Sequence, residues 1–124
     1  MTKKVLIVED DKNISRALAV RLRTAGYQVT LAYDAVMAQT VAATNKPDLI
    51  VLDISMPGGD GFKVAERLSH SMVAPFIFIT ASKKPGLRLR AMELGAVDYL
   101  EKPFEAEQLL AAVSAALGES EPIS

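Results

Sequence analysis

The chain has 124 residues, no cysteine, one histidine, and 14 basic residues that nearly balance 15 acidic ones. This length suits one domain, not a multidomain enzyme, and the missing cysteines exclude disulfides and thiolate zinc sites. The near-zero net charge argues against bulk binding of nucleic acid. No apolar run approaches the roughly 18 residues that span a bilayer, so a cytoplasmic domain is expected.

In chain order, the first half predicts three strands and two helices. Residues 5–8 form an apolar, β-branched run, and helical spacing follows over 14–25, with Gly26 as the stop. Residues 28–32 alternate like an edge strand, and a second helix over 36–43 ends before Pro47. The most hydrophobic strand, 49–52, leads into Asp53 and a loop rich in glycine and proline.

The second half repeats the strand–helix pattern. It predicts a short helix at 63–70, a strand at 76–80, a helix from Pro85 to Leu94 with Gly95 as its cap, a strand at 97–100 and a helix at 105–117. Strands that alternate with helices indicate a doubly wound α/β fold with a parallel sheet. One domain is expected over residues 1–118, with 119–124 as a tail or the start of a linker.

Polar side chains follow the strands at the edge where an open parallel sheet binds ligands. They are Glu9, Asp10, Asp11, Asp53, Thr80 and Lys102. Carboxylates that lie this close together need a compensating cation, and either Lys102 or a hard ion such as Mg²⁺ would serve. An aspartate beside such an ion can attack phosphorus and form an aspartyl phosphate. For Asp11, a helix cap is the better interpretation, because the first helix begins nearby.

The motifs at these strand ends are arranged in a specific order. They are Glu9-Asp10, the run over 46–53, Met56-Pro57, Asp60-Gly61, Thr80-Ala81-Ser82, Gly95-Ala96 and the run over 98–104. Together they resemble the receiver domain of two-component response regulators, of the single-domain chemotaxis type, from residue 3 to about 117. The resemblance implies a flavodoxin-like (βα)5 fold with strand order 2-1-3-4-5.

The resemblance also implies roles in phosphoryl transfer and switching. Asp53 would take a phosphoryl group from a sensor histidine kinase or a phosphotransfer protein. Lys102 and Thr80 would then bind phosphoryl oxygens. Movement of Thr80 and of the aromatic ring at Tyr99 would change the face formed by the fourth helix, fifth strand and fifth helix, which binds a downstream protein.

For the cofactor, the resemblance implies one Mg²⁺. Asp10 and Asp53 would bind it directly, the backbone carbonyl of Ser55 would complete the protein ligands, and Glu9 would hold a metal-bound water. The bond between Lys102 and Pro103 is expected to be cis, as is usual in this family.

The predicted function is therefore a binding switch that catalyses only its own phosphorylation and dephosphorylation, and is not an enzyme on a separate substrate. It is expected to be a monomer or weak dimer that contacts neither nucleic acid nor membrane. An alternative is an N-terminal receiver excised from a longer transcriptional or enzymatic regulator. An aspartyl phosphatase would need a second acid where Ser55 stands. A flavin carrier would need a phosphate cradle where three acids follow the first strand.

A basic cluster on the predicted fourth helix has two interpretations. It comprises Lys83, Lys84, Arg88 and Arg90. These residues form either a solvated helix face or a docking surface for a partner, and the sequence alone does not decide between them.

Overall fold

A computed structural model describes residues 2–55, 61–71 and 74–119. Strands and helices alternate as β1 (Lys4–Val8), α1 (Lys12–Thr24), β2 (Gln28–Ala32), α2 (Ala35–Asn45), β3 (Leu49–Asp53), α3 (Gly61–Ser71), β4 (Phe76–Thr80), α4 (Leu87–Glu93), β5 (Asp98–Glu101) and α5 (Ala106–Ala116). Most of the predicted loop at 56–61, and residues 120–124 of the predicted tail, lie outside the described residues. None of the helices in the described ranges combines the length and the apolar character that a membrane span requires.

The five strands form one parallel sheet in the order β2-β1-β3-β4-β5. The predicted doubly wound fold and its strand order are therefore confirmed. Every residue of the neighbouring strands β3 and β4 is buried, as expected of parallel strands covered by helices on both faces. Because all strands run the same way, the carboxyl ends of β1, β3, β4 and β5 meet at one edge of the sheet.

Two hydrophobic cores lie on opposite faces of this sheet. Along β1, Leu6 and Val8 belong to one core, whereas Val5 and Ile7 belong to the other, as the two-residue period of a strand requires. Residues of α2, α3 and α4 complete the first core, and residues of α1 and α5 complete the second. This packing holds the strand ends in fixed positions relative to one another.

The helix caps that the sequence predicts are present. The Asp11 carboxylate accepts hydrogen bonds from the amides of Asn13 and Ile14 at 2.9 and 3.1 Å. This satisfies two free donors at the start of α1 and confirms the capping role. Gly95 follows α4 in the left-handed region, with φ 92°, where a residue without Cβ is favoured.

The start of α4 differs from the prediction. The helix begins at Leu87, not at Pro85, because Gly86 adopts a left-handed conformation with φ 85° that is incompatible with a helix. Strand β5 likewise begins one residue later than predicted, at Asp98. The amide of Val97 still donates to the carbonyl of Phe76 at 2.8 Å, just before the strand.

Ser15 on α1 carries the first stability prediction. The residue is fully buried, and its hydroxyl has no hydrogen-bond partner among the residues that the structure describes. Ser15→Ala removes this unpaired group and is expected to raise the free energy of unfolding by about 1 kcal/mol in urea denaturation. Ser114→Ala is the control, since its hydroxyl donates to the Glu119 carbonyl at 3.4 Å. Equal effects for the two variants would contradict the prediction.

Candidate functional site

Four side chains predicted for the site lie at the carboxyl edge of the sheet. Glu9 follows β1, Asp53 ends β3, Thr80 ends β4 and Lys102 follows β5. Glu9 and Asp53 are 1% and 3% exposed, and the Lys102 side chain is 16% exposed. Charges buried to this extent require partners.

The Lys102 ammonium bridges the two buried carboxylates. It forms an ion pair with Oε1 of Glu9 and lies 3.0 Å from Oδ2 of Asp53. The peptide bond between Lys102 and Pro103 is cis, as the family resemblance implied. Lys102 thus supplies one of the two compensating cations that the sequence suggested, and it does so through Glu9 as well as Asp53.

The second oxygen of Asp53 is held by Ser55. Oδ1 of Asp53 accepts from the Ser55 amide at 2.9 Å and from the Ser55 hydroxyl at 2.8 Å. The family resemblance implied a role for Ser55 through its backbone carbonyl and gave no sign of this double contact. Both oxygens of Asp53 are therefore fixed by neighbouring donors.

Burial and mutual contact change the acidity of these groups. Burial and the neighbouring Asp53 raise the pKa of Glu9 to about 7, although Lys102 opposes the shift. Burial alone would raise the pKa of Asp53, but hydrogen bonds from Glu9, Ser55 and Lys102 outweigh it, and the pKa is lowered. Burial would lower the pKa of Lys102, but the two carboxylates raise it. The site therefore favours an ionised Asp53 beside an ammonium.

A set of oxygen ligands for a metal ion lies at the same place. Three carboxylate oxygens lie within 4.8 Å of one another, one from each of Glu9, Asp10 and Asp53. Of these residues, Asp10 is exposed. Hard divalent cations prefer such all-oxygen sites, and Mg²⁺ retains waters on its open side. Three carboxylates face one ammonium, so the charge balance also suits a cation. The residues present therefore fit Mg²⁺.

Thr80 is fully buried next to the acidic group. Strand pairing places Asp53 opposite Ile79, so Thr80 follows immediately on the neighbouring strand. Its hydroxyl accepts from the Ser82 amide at 3.0 Å, and its carbonyl accepts from the Lys102 amide at 2.8 Å. Thr80 is thus connected through its hydroxyl to the β4–α4 loop and through its carbonyl to the residue that pairs with Asp53.

Tyr99 does not join the carboxylates. The residue is 3% exposed and packs in the core on the face covered by α4. The Arg88 guanidinium lies over its ring at 4.8 Å, and Lys83 pairs with Glu101 at 3.0 Å. The sequence placed these two basic residues in one cluster but gave no sign of either partner, because both contacts cross from the β4–α4 region to β5.

Comparisons with known proteins agree with this geometry. The family model described as the response regulator receiver domain matches residues 5–114. The chain is 39% identical over 122 residues to the alkaline phosphatase synthesis transcriptional regulatory protein PhoP of Bacillus subtilis (strain 168). That match covers 98% of this chain and 51% of PhoP, so the chain spans about half the length of the curated relative it matches.

Solved receiver domains share the fold. The Francisella response regulator 1452 receiver domain has a TM-score of 0.86 and 30% identity, covering 94% of this chain and 98% of that one. A response regulator receiver protein from Burkholderia phymatum has a TM-score of 0.85 and 34% identity, covering 98% and 100%.

Proposed function

Since the chain belongs to the response regulator receiver domain family, we propose that it is a phosphorylation-controlled binding switch with Asp53 as phosphoacceptor. The observation that carries this proposal is the Lys102 ammonium between Glu9 and Asp53, at the edge where the sheet ends. The phosphoryl donor is a phosphohistidine of a sensor histidine kinase or phosphotransfer protein, as family membership implies.

Asp53 is the nucleophile in the proposed reaction. One of its carboxylate oxygens forms the new O–P bond while the P–N bond of the phosphohistidine breaks. The imidazole nitrogen keeps the electron pair of that bond and takes up a proton. The lowered pKa of Asp53 supports this role, because the attacking group must be ionised.

Lys102 and Ser55 position the nucleophile and the transferred group. The Ser55 amide and hydroxyl hold Oδ1 of Asp53, which fixes the orientation of the carboxylate. Lys102, already 3.0 Å from Oδ2, donates to a phosphoryl oxygen once the group is attached. A donor held in place before reaction stabilises the developing charge without reorganisation.

Asp10, Asp53 and the Ser55 carbonyl would hold Mg²⁺ in this proposal, and Glu9 would hold a metal-bound water. When bound, the ion offsets the repulsion between phosphoryl oxygens and carboxylates. The grouping of these three carboxylates within 4.8 Å supports the assignment.

In this proposal, phosphorylation changes the conformation of the chain through Thr80 and Tyr99. The Thr80 hydroxyl accepts from the Ser82 amide in this structure, and it donates to a phosphoryl oxygen once that group is attached. Movement of the β4–α4 loop then stabilises the inward, buried position of the Tyr99 ring and reshapes the face of α4, β5 and α5 for a downstream protein.

A phosphorylation assay tests the proposal. Acetyl phosphate with Mg²⁺ is expected to add about one phosphoryl group to the wild type by intact mass, because Asp53 is the one acceptor. Asp53→Asn and chelation of the metal should each abolish the adduct. Asp34→Asn is the matched control, since Asp34 is an exposed helix cap and asparagine also caps. An adduct on Asp53→Asn equal to that of the control would contradict the assignment.

A further inference from the structure

The Tyr99 ring occupies a buried position beneath Arg88. The side chain is 3% exposed and packs against the core that includes Ala91 of α4 and Phe78 of β4. The Arg88 guanidinium lies 4.8 Å from the centre of the ring, within the distance of a cation–π contact. This charged group covers the ring from the α4 side.

The charged groups near Tyr99 pair with one another in a way that keeps the Arg88 guanidinium over the Tyr99 ring. Glu101, the nearby acid on β5, is already paired with Lys83 at 3.0 Å. Within the described part of the chain, Arg88 itself forms no ion pair. Lys84 is exposed in the same basic cluster and has no described contact with an aromatic ring. Arg90 lies over the ring of Phe62 at 4.3 Å, so among the described members of the basic cluster the contact with the Tyr99 ring belongs to Arg88.

We propose that Arg88 holds Tyr99 in its buried position before any phosphoryl group is attached. Thr80 is bonded to Ser82 in the same conformation, so the buried ring does not depend on a moved threonine. In the unphosphorylated chain, Arg88 therefore acts as a positioning residue. It shifts the population of the α4–β5 face toward the conformation in which the Tyr99 ring is buried. This inference rests on the proposed function in one respect, because it treats the position of the Tyr99 ring as the switching element.

The ring position is measured by ¹⁹F NMR of protein labelled with 3-fluorotyrosine, without Mg²⁺ or phosphodonor. The Tyr99 resonance is assigned with Tyr99→Phe. Arg88→Ala is expected to raise the population with an exposed Tyr99 ring roughly three-fold. This ratio corresponds to the free energy that a solvent-exposed cation–π contact contributes. Arg88→Lys keeps the charge but loses the planar stacking group, so an intermediate value is expected. Lys84→Ala removes one charge from the same segment and should leave the resonance unchanged.

The outcomes separate positioning from general stability. A Tyr99 resonance in Arg88→Ala or Arg88→Lys that matches wild type would overturn the proposal. So would an equal shift in Lys84→Ala, because charge alone would then explain it. Thermal melts of all variants show whether the ring moves without loss of the fold.

Adding Mg²⁺ and beryllofluoride, a phosphoryl analogue, should return the ring of Arg88→Ala to its buried position. Failure of that last response alone contradicts the proposed function and leaves the role of Arg88 intact.

Discussion

Replacing Lys102 with methionine is expected to lower the free energy of unfolding by roughly 3 kcal/mol and to slow phosphorylation of Asp53 about 100-fold. The stability loss follows because Glu9 and Asp53 are both almost fully buried and would lose their shared ammonium. The rate loss follows because the same ammonium is the donor proposed to meet the phosphoryl group.

Urea denaturation measures the first effect, and the time course of intact mass with acetyl phosphate measures the second. Lys84→Met is the matched control, since Lys84 is an exposed lysine outside the site. If Lys102→Met were as stable as this control, the bridge between the two carboxylates would not contribute to the fold. A stable variant with a normal rate would remove Lys102 from the mechanism as well.

Gly61→Ala is expected to destabilise the fold by about 2–3 kcal/mol and to impair phosphorylation. A Cβ at position 61 would lie 2.5 Å from the Cα of Ile54 and 2.9 Å from the carbonyl oxygen of Asp53. Backbone cannot move aside as a flexible side chain can, so the segment that carries Asp53 must shift. Denaturation and the phosphorylation rate together measure the effect.

Gly26→Ala separates steric contact from backbone preference. Gly26 has φ 102° but open space around its Cα, so alanine there meets conformational strain alone, about 1 kcal/mol. Gly61→Ala should therefore cost clearly more than Gly26→Ala and should alone affect phosphorylation. Equal losses of stability, with normal phosphorylation in both, would show that position 61 does not position Asp53.

Features that depend on neighbours in sequence were predictable. The apolar run at β3 indicates a strand buried on both faces, and the acid that ends it indicates a site at the sheet edge. The cap formed by Asp11 likewise depends on groups two and three residues away. Gly86 shows the limit of this approach, because a proline favours a helix start whereas one left-handed glycine after it delays that start.

The sequence pattern brought the polar residues to one edge of the sheet, but it did not predict which atoms of distant residues contact one another. Lys102 and Glu9 lie 93 residues apart, and only the assembled sheet shows that one ammonium serves both carboxylates. The stacking of Arg88 on Tyr99 depends on the angle at which α4 crosses β5, which periodicity does not encode. The same holds for the Ser55 hydroxyl, whose direction toward Asp53 depends on the turn after β3.

Locating the phosphoryl group on the chain shows whether Asp53 is the residue that accepts it. Borohydride reduces an acyl phosphate to a primary alcohol, so a phosphorylated aspartate is read as homoserine in a peptide map. After treatment with acetyl phosphate and Mg²⁺, we predict homoserine at position 53. Reduction at Glu9 or Asp10 instead, or a phosphoryl group that borohydride does not remove, would show that Asp53 is not the phosphoacceptor.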